Sequence, residues 1–396
     1  MTIPRSEFQA RLQCLRQVMQ AEAIDLFLIY GDEYRREHLR YFSNYWPIFE
    51  RGMLVVGLSG DPVLLVAPEC FHYAKETSVW GDLRIVKEME MAYVSDQIEY
   101  SADSIYTTLE AVFKDVLSGK SPNKVEVCGI DAMSVITLDA IKQAAAGAQV
   151  VNGDKVIYGM RLIKSPLEVQ ALRKVWQVCD RGYKAILDAD LVGMTEIQAA
   201  ALGEKAARDA GAEQIVFSIF ASGSRTDTVI GRATEKVIQK GEMVMACLAV
   251  QYDGYIASDE WPFVAGGKPT ADQLDLIRYL IVAEDLGIKM VKDGVVAGQV
   301  VAAIRDYFAA NGLTKYDLYP PIHGNGLAEA ESPYPDEHTT YTFKSGMGVN
   351  FDVSLFGLPG VGSNRVEEGF VVDTGGMIVL SDLISGLRIE FLKRFA

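Results

Sequence analysis

Apolar residues recur at helical spacing over residues 5–23, where Phe8, Leu12, Leu15 and Met19 share one face and predict an amphipathic helix. "DLFLIY" (25–30) is a continuous apolar run, the pattern of a buried strand. "GMLVVGLSGDPVLLVAP" (52–68) holds two such runs joined across "SGD" and predicts a hairpin. A helix over 101–117 and a strand at "KVEVCGID" (124–131) complete an alternation that predicts an α/β first domain, residues 1–160.

The pattern changes after about residue 160. Ser165 is placed to cap a helix, with Pro166 at its first position and Glu168 in its first turn; the helix runs to about 188. Thr195 caps a second helix within 193–212. "EQIVFSIFAS", "EMVMACLAV" and "DGYIASDEWPFVAG" then read as strands. Helices over 271–293 and 297–311 follow, and the remainder, "YTFKSGMGVNFDVSLF" and "SNRVEEGFVVDTGGMIVL", is strand-rich. Helix pair, strands, helix pair, strands predicts two related halves with pseudo-two-fold symmetry over residues 161–396.

Composition narrows the partners. The 396-residue chain carries a formal net charge of -15, which repels phosphate backbones and anionic membranes and argues against nucleic acid and membrane partners. Its five cysteines are odd in number and lack CxxC spacing, which points to a reducing, cytoplasmic setting rather than a disulfide framework or structural zinc. The N-terminus lacks a secretory apolar core, and no run of about 18 apolar residues predicts a membrane helix.

Candidate chemistry lies where acidic residues interrupt apolar strands. "GYIASDEWPF" carries Asp259 and Glu260, "MGVNFDVSLF" carries Asp352, and "NRVEEGFVV" carries Glu367 and Glu368. A carboxylate in a buried strand is costly unless paired, metal-bound or functional; otherwise it sits on a solvated face. Strand alternation lets only one of Asp259/Glu260, and one of Glu367/Glu368, point inward. "IHGNGL" (322–327) places one of only four histidines, His323, beside two glycines that would let backbone approach a small ligand.

The ordered set "IKSPLEV" (163–169), "GMTE" (193–196), "FASGSRTD" (220–227), "KGEMV" (240–244), "YDGYIASD" (252–259), "HGNGL" (323–327), "SGMGVNFD" (345–352) and "NRVEE" (364–368) resembles the pita-bread superfamily. That group holds creatinase, ectoine hydrolase, aminopeptidase P, prolidase and methionine aminopeptidase. The resemblance implies an α+β pita-bread domain behind a creatinase/prolidase-like N-terminal domain. In the metallopeptidases two Asp, one His and two Glu hold two ions. By resemblance these positions fall on Cys247, Ser258, His323, Asp352 and Glu367. Two ligands are kept, one is shortened and two are lost. The peptidases' further histidines fall on Ala330 and Ile230.

Creatinase offers a metal-free precedent, with its guanidinium-holding glutamate on Glu260 and a second substrate-binding glutamate on Asp352. "FER" (49–51) resembles the Phe-x-Arg that one creatinase subunit lends its neighbour, making Phe49 and Arg51 substrate-binding candidates across a homodimer. Creatinase's catalytic histidine matches Ile230, however, and a carboxylate-binding arginine matches Tyr334. The resulting expectation is a metal-independent, creatinase-like hydrolase without cofactor. It would cleave a C–N bond of a small cationic or zwitterionic compound such as a guanidino, amidine or cyclic-amide species. His323, Glu260, Asp352 and Glu367 would be catalytic, and Asp259, Tyr255, Trp261 and Tyr334 would bind substrate. The alternatives are a metal-dependent Xaa-Pro aminopeptidase or dipeptidase, a lyase on a small zwitterion, and a non-catalytic binding module.

Overall fold

The computed structural model describes residues 3–90 and 106–395. The chain divides into two compact units, Ile3–Met160 and Arg161–Ala396. The first is an α/β unit around a mixed six-stranded sheet. Its strands are β1 (Leu26–Asp32), β2 (Arg51–Gly57), β3 (Val63–Val66), β4 (Asp82–Ile85), β5 (Lys124–Cys128) and β6 (Gln149–Asn152), in the order β4-β3-β2-β1-β5-β6. The predicted hairpin forms, with Leu54 opposite Leu64. Leu26, Leu28, Val55, Leu65 and Val127 meet Val112, Phe113 and Ile141 from helices in one apolar core.

The helix expected over 101–117 covers Leu109–Val116, with Thr108 accepting the Ala111 N–H as its cap; positions 101–105 lie outside the described residues. The helix Glu37–Ser43 went unpredicted. All seven of its residues are buried, so it lacks the polar face that makes helical periodicity visible.

The second unit has the pita-bread architecture. Among its described residues, two helix pairs, Pro166–Asp188 with Glu196–Asp209 and Ala271–Met290 with Ala297–Ala310, each precede a group of strands. Capping boxes at Ser165/Glu168, Thr195/Gln198 and Thr270/Gln273 start three of these helices. In the first pair the helices come so close that a Cβ on Gly182 would stand 2.9 Å from the Ala207 Cβ.

The strands are β7 (Gln214–Ser222), β8 (Met243–Tyr252), β9 (Tyr255–Glu260), β10 (Phe263–Val264), β11 (Ile322–Gly324), β12 (Gly348–Leu358), β13 (Gly362–Asp373) and β14 (Gly376–Val379). Their order is β10-β8-β9-β13-β12-β11, with β7 on β8 and β14 on β13. The chain therefore ends its sheet with a turn at 374–375, not one long strand. The chain then ends in a helix, Asp382–Phe395, beyond the segments expected to be strand-rich. Strands β9, β12 and β13 are buried on both faces for most of their length, and each carries acidic residues within that buried run.

No helix among the described residues is long and apolar enough to cross a membrane.

Candidate active site

Strand register builds the site. Cys247 on β8 pairs with Glu260 on β9, Glu260 with Glu367 on β13, and Glu367 with Asp352 on β12. The four form one row across four adjacent strands. His323 on β11 pairs with Asn350, two residues before Asp352 on β12. Directly opposed side chains on one sheet face lie within about 4.5–5.5 Å at Cβ, which gathers these groups without any loop. The row's three carboxylates and His323 floor an open cavity of about 930 Å³, also lined by Phe217, Ile230, Arg232, Tyr319, Glu329, Tyr334 and Arg365.

Alternation sorts the ambiguous acidic pairs. Glu260 and Glu367 line the cavity. Glu368 points the other way and forms a buried ion pair with Arg388, which also donates to Asp285 at 2.8 Å. Asp259 likewise faces away from the cavity, with Asp180, Cys179 and Ser381 as its neighbours. The substrate-binding role expected of Asp259 is corrected: a strand that turns Glu260 inward must turn Asp259 outward.

Two aromatic expectations are also corrected. Tyr255 is buried and donates to Glu168 Oε1 at 3.0 Å, tying β9 to a capping box. Trp261 packs edge-on against Phe391 of the last helix, ring centroids 6.5 Å apart. Tyr334 does line the cavity and stacks over His323, at 5.9 Å and 22°. Phe49 and Arg51 belong to the first unit, where Arg51 donates to the Glu90 carbonyl at 2.5 Å.

His323 Nδ1 donates to the Gly324 carbonyl at 3.0 Å, which leaves Nε2 facing Glu367 Oε1 at 3.3 Å and Glu329 Oε1 at 3.6 Å. Burial alone would lower the imidazole's proton affinity. Glu329, Glu367 and Asp352 outweigh it and raise the ring to about 10. Burial pushes Glu329 up to about 7, with His323 opposing. Glu260 is held well above the usual carboxylate range by burial, with Asp352 and Glu367 adding and Arg365 opposing.

Sequence reasoning missed Arg365 and Glu329. The Arg365 guanidinium reaches Glu260 Oε2 at 3.0 Å and Asp352 Oδ2 at 3.6 Å, and donates to the Val229 carbonyl at 2.7 Å. A signal existed: Arg365 lies two residues before Glu367 on one strand and so shares its face. Glu329 had none, because it sits on the irregular segment after β11.

That segment is held by Glu331. Its buried carboxylate pairs with Arg161 and with Lys164 at 2.9 Å, and accepts the Ala328 N–H at 3.2 Å. The glycines at 324 and 326 serve this packing rather than a ligand. A Cβ on Gly324 would stand 2.3 Å from the Ser332 carbonyl, and one on Gly326 2.4 Å from the Glu331 carboxylate.

The five superfamily metal positions do not assemble a two-ion site. Ser258 Oγ, 3.2 Å from Cys247 Sγ, donates to Glu367 Oε2 at 2.9 Å. Two ions need bridging carboxylates to offset about four positive charges, and neither a thiol nor a hydroxyl supplies one. Burial, then the charges of Glu260 and Glu367, hold the Cys247 thiol neutral, its pKa far above normal.

The outward-facing Asp259 gives a pH prediction. Burial, then Asp180, hold its pKa well above the ordinary value, and Asp180 accepts from Ser381 Oγ at 2.7 Å and from the Asp382 N–H at 3.0 Å. A raised folded pKa stabilises the fold fully below the unfolded value, about 3.9, and that stability is lost as pH rises through the folded value. Asp259→Asn is expected to melt higher than the parent at pH 8, with the gap closing toward pH 4. An equal or lower melting temperature at pH 8 would refute a neutral Asp259.

Residues 170–374 match metallopeptidase family M24, and residues 11–163 match the creatinase/prolidase N-terminal domain. An uncharacterized peptidase, YqhT, of Bacillus subtilis is 27% identical over 92% of this chain and 96% of its own length. A Xaa-Pro dipeptidase of Pyrococcus furiosus is 25% identical over the same shares. The crystal structure of the prolidase from Pyrococcus horikoshii OT3 superposes with a TM-score of 0.79 at 21% identity, covering 94% of this chain and 98% of that one, and shares the fold. These findings overturn the expectation of a metal-independent, creatinase-like hydrolase of non-peptide C–N bonds. The match is to a metallopeptidase family, and the dipeptidase relatives act on peptide bonds. The M24 match spans more than half the chain: the protein belongs to metallopeptidase family M24, within the creatinase/prolidase pita-bread superfamily.

Proposed function

We propose that this chain hydrolyses the peptide bond of a short peptide, with Xaa-Pro dipeptides the first substrates to try. The observation that carries this reading is the cross-strand row Glu260–Glu367–Asp352 beside His323 at the floor of an open cavity. Family membership and the relatives named Xaa-Pro dipeptidase support the reaction class.

The row suits a small zwitterion. Its carboxylates outnumber the cationic groups around them, so a peptide's free ammonium is drawn to the floor. Phe217 and Ile230 offer an apolar wall for a side chain or proline ring. Arg365 is held between Glu260 and Asp352 and provides a fixed positive charge against oxygen that becomes anionic when the carbonyl is attacked. Hydrolysis adds water to the carbonyl carbon, breaks the C–N bond and delivers a proton to the leaving amine. Asp352, whose Oδ1 is buried without a hydrogen-bond partner among the described residues, is placed to carry that proton. His323, Glu329 and Glu367 would hold a divalent ion, which when bound supplies a water of lowered pKa and polarises the carbonyl.

The test is amino-acid release from a panel of Xaa-Pro and ordinary dipeptides, with manganese or zinc chloride in excess. Turnover that Glu367→Gln removes is expected. Absence of cleavage across the panel, with folded protein, would overturn the reading.

A further inference from the structure

The geometry points to a mononuclear metal site in this chain, built on His323, Glu367 and Glu329, in place of the two-ion centre that its metallopeptidase family implies. The inference rests on the peptidase reading for the ion's purpose, but not for its number or ligands.

Ligand spacing is the first argument. Zinc binds nitrogen and oxygen at about 2.0–2.2 Å, so two such ligands in a tetrahedron stand about 3.3–3.6 Å apart. His323 Nε2 lies 3.3 Å from Glu367 Oε1 and 3.6 Å from Glu329 Oε1. The three ligand atoms all fall within 4.8 Å of one another. The imidazole is already oriented as a ligand, because its Nδ1 donates to the Gly324 carbonyl and leaves Nε2 to coordinate. Asp352 is paired in register with Glu367 and carries a buried Oδ1 that meets no hydrogen-bond donor among the described residues.

The second argument concerns the missing neighbour. A bridging carboxylate must offer one oxygen to each ion. Glu367 Oε1 faces His323 and accepts the Asn350 amide at 2.7 Å, and its Oε2 accepts the Ser258 hydroxyl at 2.9 Å. Where a second ion would need carboxylates of its own, the chain offers a neutral hydroxyl, Ser258, and the Cys247 sulfur 3.2 Å from it. Charge agrees. Arg365 lies against Glu260 and Asp352, while Glu329 and Glu367 face a histidine that coordinates only when neutral. Glu329 and Glu367 carry two negative charges beside that histidine, which one divalent ion balances, while Arg365 offsets one of the charges on Glu260 and Asp352.

The carboxylate missing at Ser258 is supplied by Glu329, which lines the cavity from the segment that Glu331 anchors to Arg161 and Lys164. N/O donors of this kind suit zinc, manganese or cobalt.

The full chain, stripped with chelator and dialysed against zinc or manganese chloride, tests this without substrate. Elemental analysis is expected to find one ion per chain, and titration calorimetry one site. Glu329→Gln is expected to weaken that site by at least about 100-fold, beyond the about 10–100-fold typical of outer-sphere changes. Its melting curve without metal serves as the folding control. The double variant Cys247→Asp/Ser258→Asp is expected to bind two ions. Zero or two ions in the parent chain, or one ion indifferent to Glu329→Gln, would overturn the proposal. So would a thiolate-to-cobalt charge-transfer band, which would place the ion at Cys247, Glu260 and Glu367 instead. A chain that binds one ion but cleaves no peptide would keep this inference and discard the peptidase reading. A chain that cleaves peptides with two ions would do the reverse.

Discussion

His323→Ala is expected to reduce dipeptide turnover by about 10³-fold or more, about 4 kcal/mol of transition-state stabilisation at about 1.36 kcal/mol per tenfold. The imidazole is 3% exposed, and its Nε2 faces two carboxylates. It has no substitute: among the described residues lining the cavity it is the sole histidine. The loss should fall on kcat as well as kcat/KM, because the ring organises the reacting centre rather than one end of the substrate. Removing the ring also leaves Glu329 and Glu367 without the group that faces them, so the variant is expected to melt lower while still folding. Steady-state kinetics with a matched melting curve decide it. A tenfold effect or less, in folded protein, would place the chemistry elsewhere in the cavity.

Glu331→Ala carries the largest expected stability effect. Arg161 and Lys164 are both nearly fully buried and both pair with this carboxylate. Removing it leaves two cations out of water without their anion, and breaking a buried pair costs about 3–5 kcal/mol. The loss should appear in the melting transition of the second unit. A pH signature accompanies it. Burial raises the Glu331 pKa, but Arg161 and Lys164 outweigh burial and leave it below the ordinary value. A depressed folded pKa stabilises the fold above the unfolded value, about 4.3, and that stability is lost as pH falls through the folded value. The parent should therefore lose stability below about pH 4 by a component that the variant lacks. Metal binding should weaken in parallel, because Glu329 sits two residues away on the anchored segment. A variant as stable as the parent would refute the anchor.

Much of the site was legible because strands obey a period of two. Buried acidic residues in apolar runs named Glu260, Asp352 and Glu367, and alternation limited each adjacent pair to one inward member. It could not choose the member. Asp259 and Glu260 are equally acidic, and the choice depends on which face of β9 meets helix Pro166–Asp188 and which meets the cavity. Tyr255 and Trp261 misled for the same reason: nearness in sequence to Glu260 says nothing about face or depth. Arg365 was recoverable by counting two residues from Glu367. Glu329 was not.

Taken alone, the order and spacing of motifs determined the superfamily, the two-unit organisation and the identity of the polar strand positions. Those depend on local periodicity, caps and turn chemistry, which act over a few residues. The tertiary structure decided which carboxylates share a face and that Arg365 lies between two of them. It also decided that Ser258 donates to Glu367, and that Glu329, on the irregular segment just after β11, turns back toward His323. Such facts depend on strand register and on how an irregular loop is pinned by a buried ion triad. Both are set by long-range packing that residue spacing does not encode.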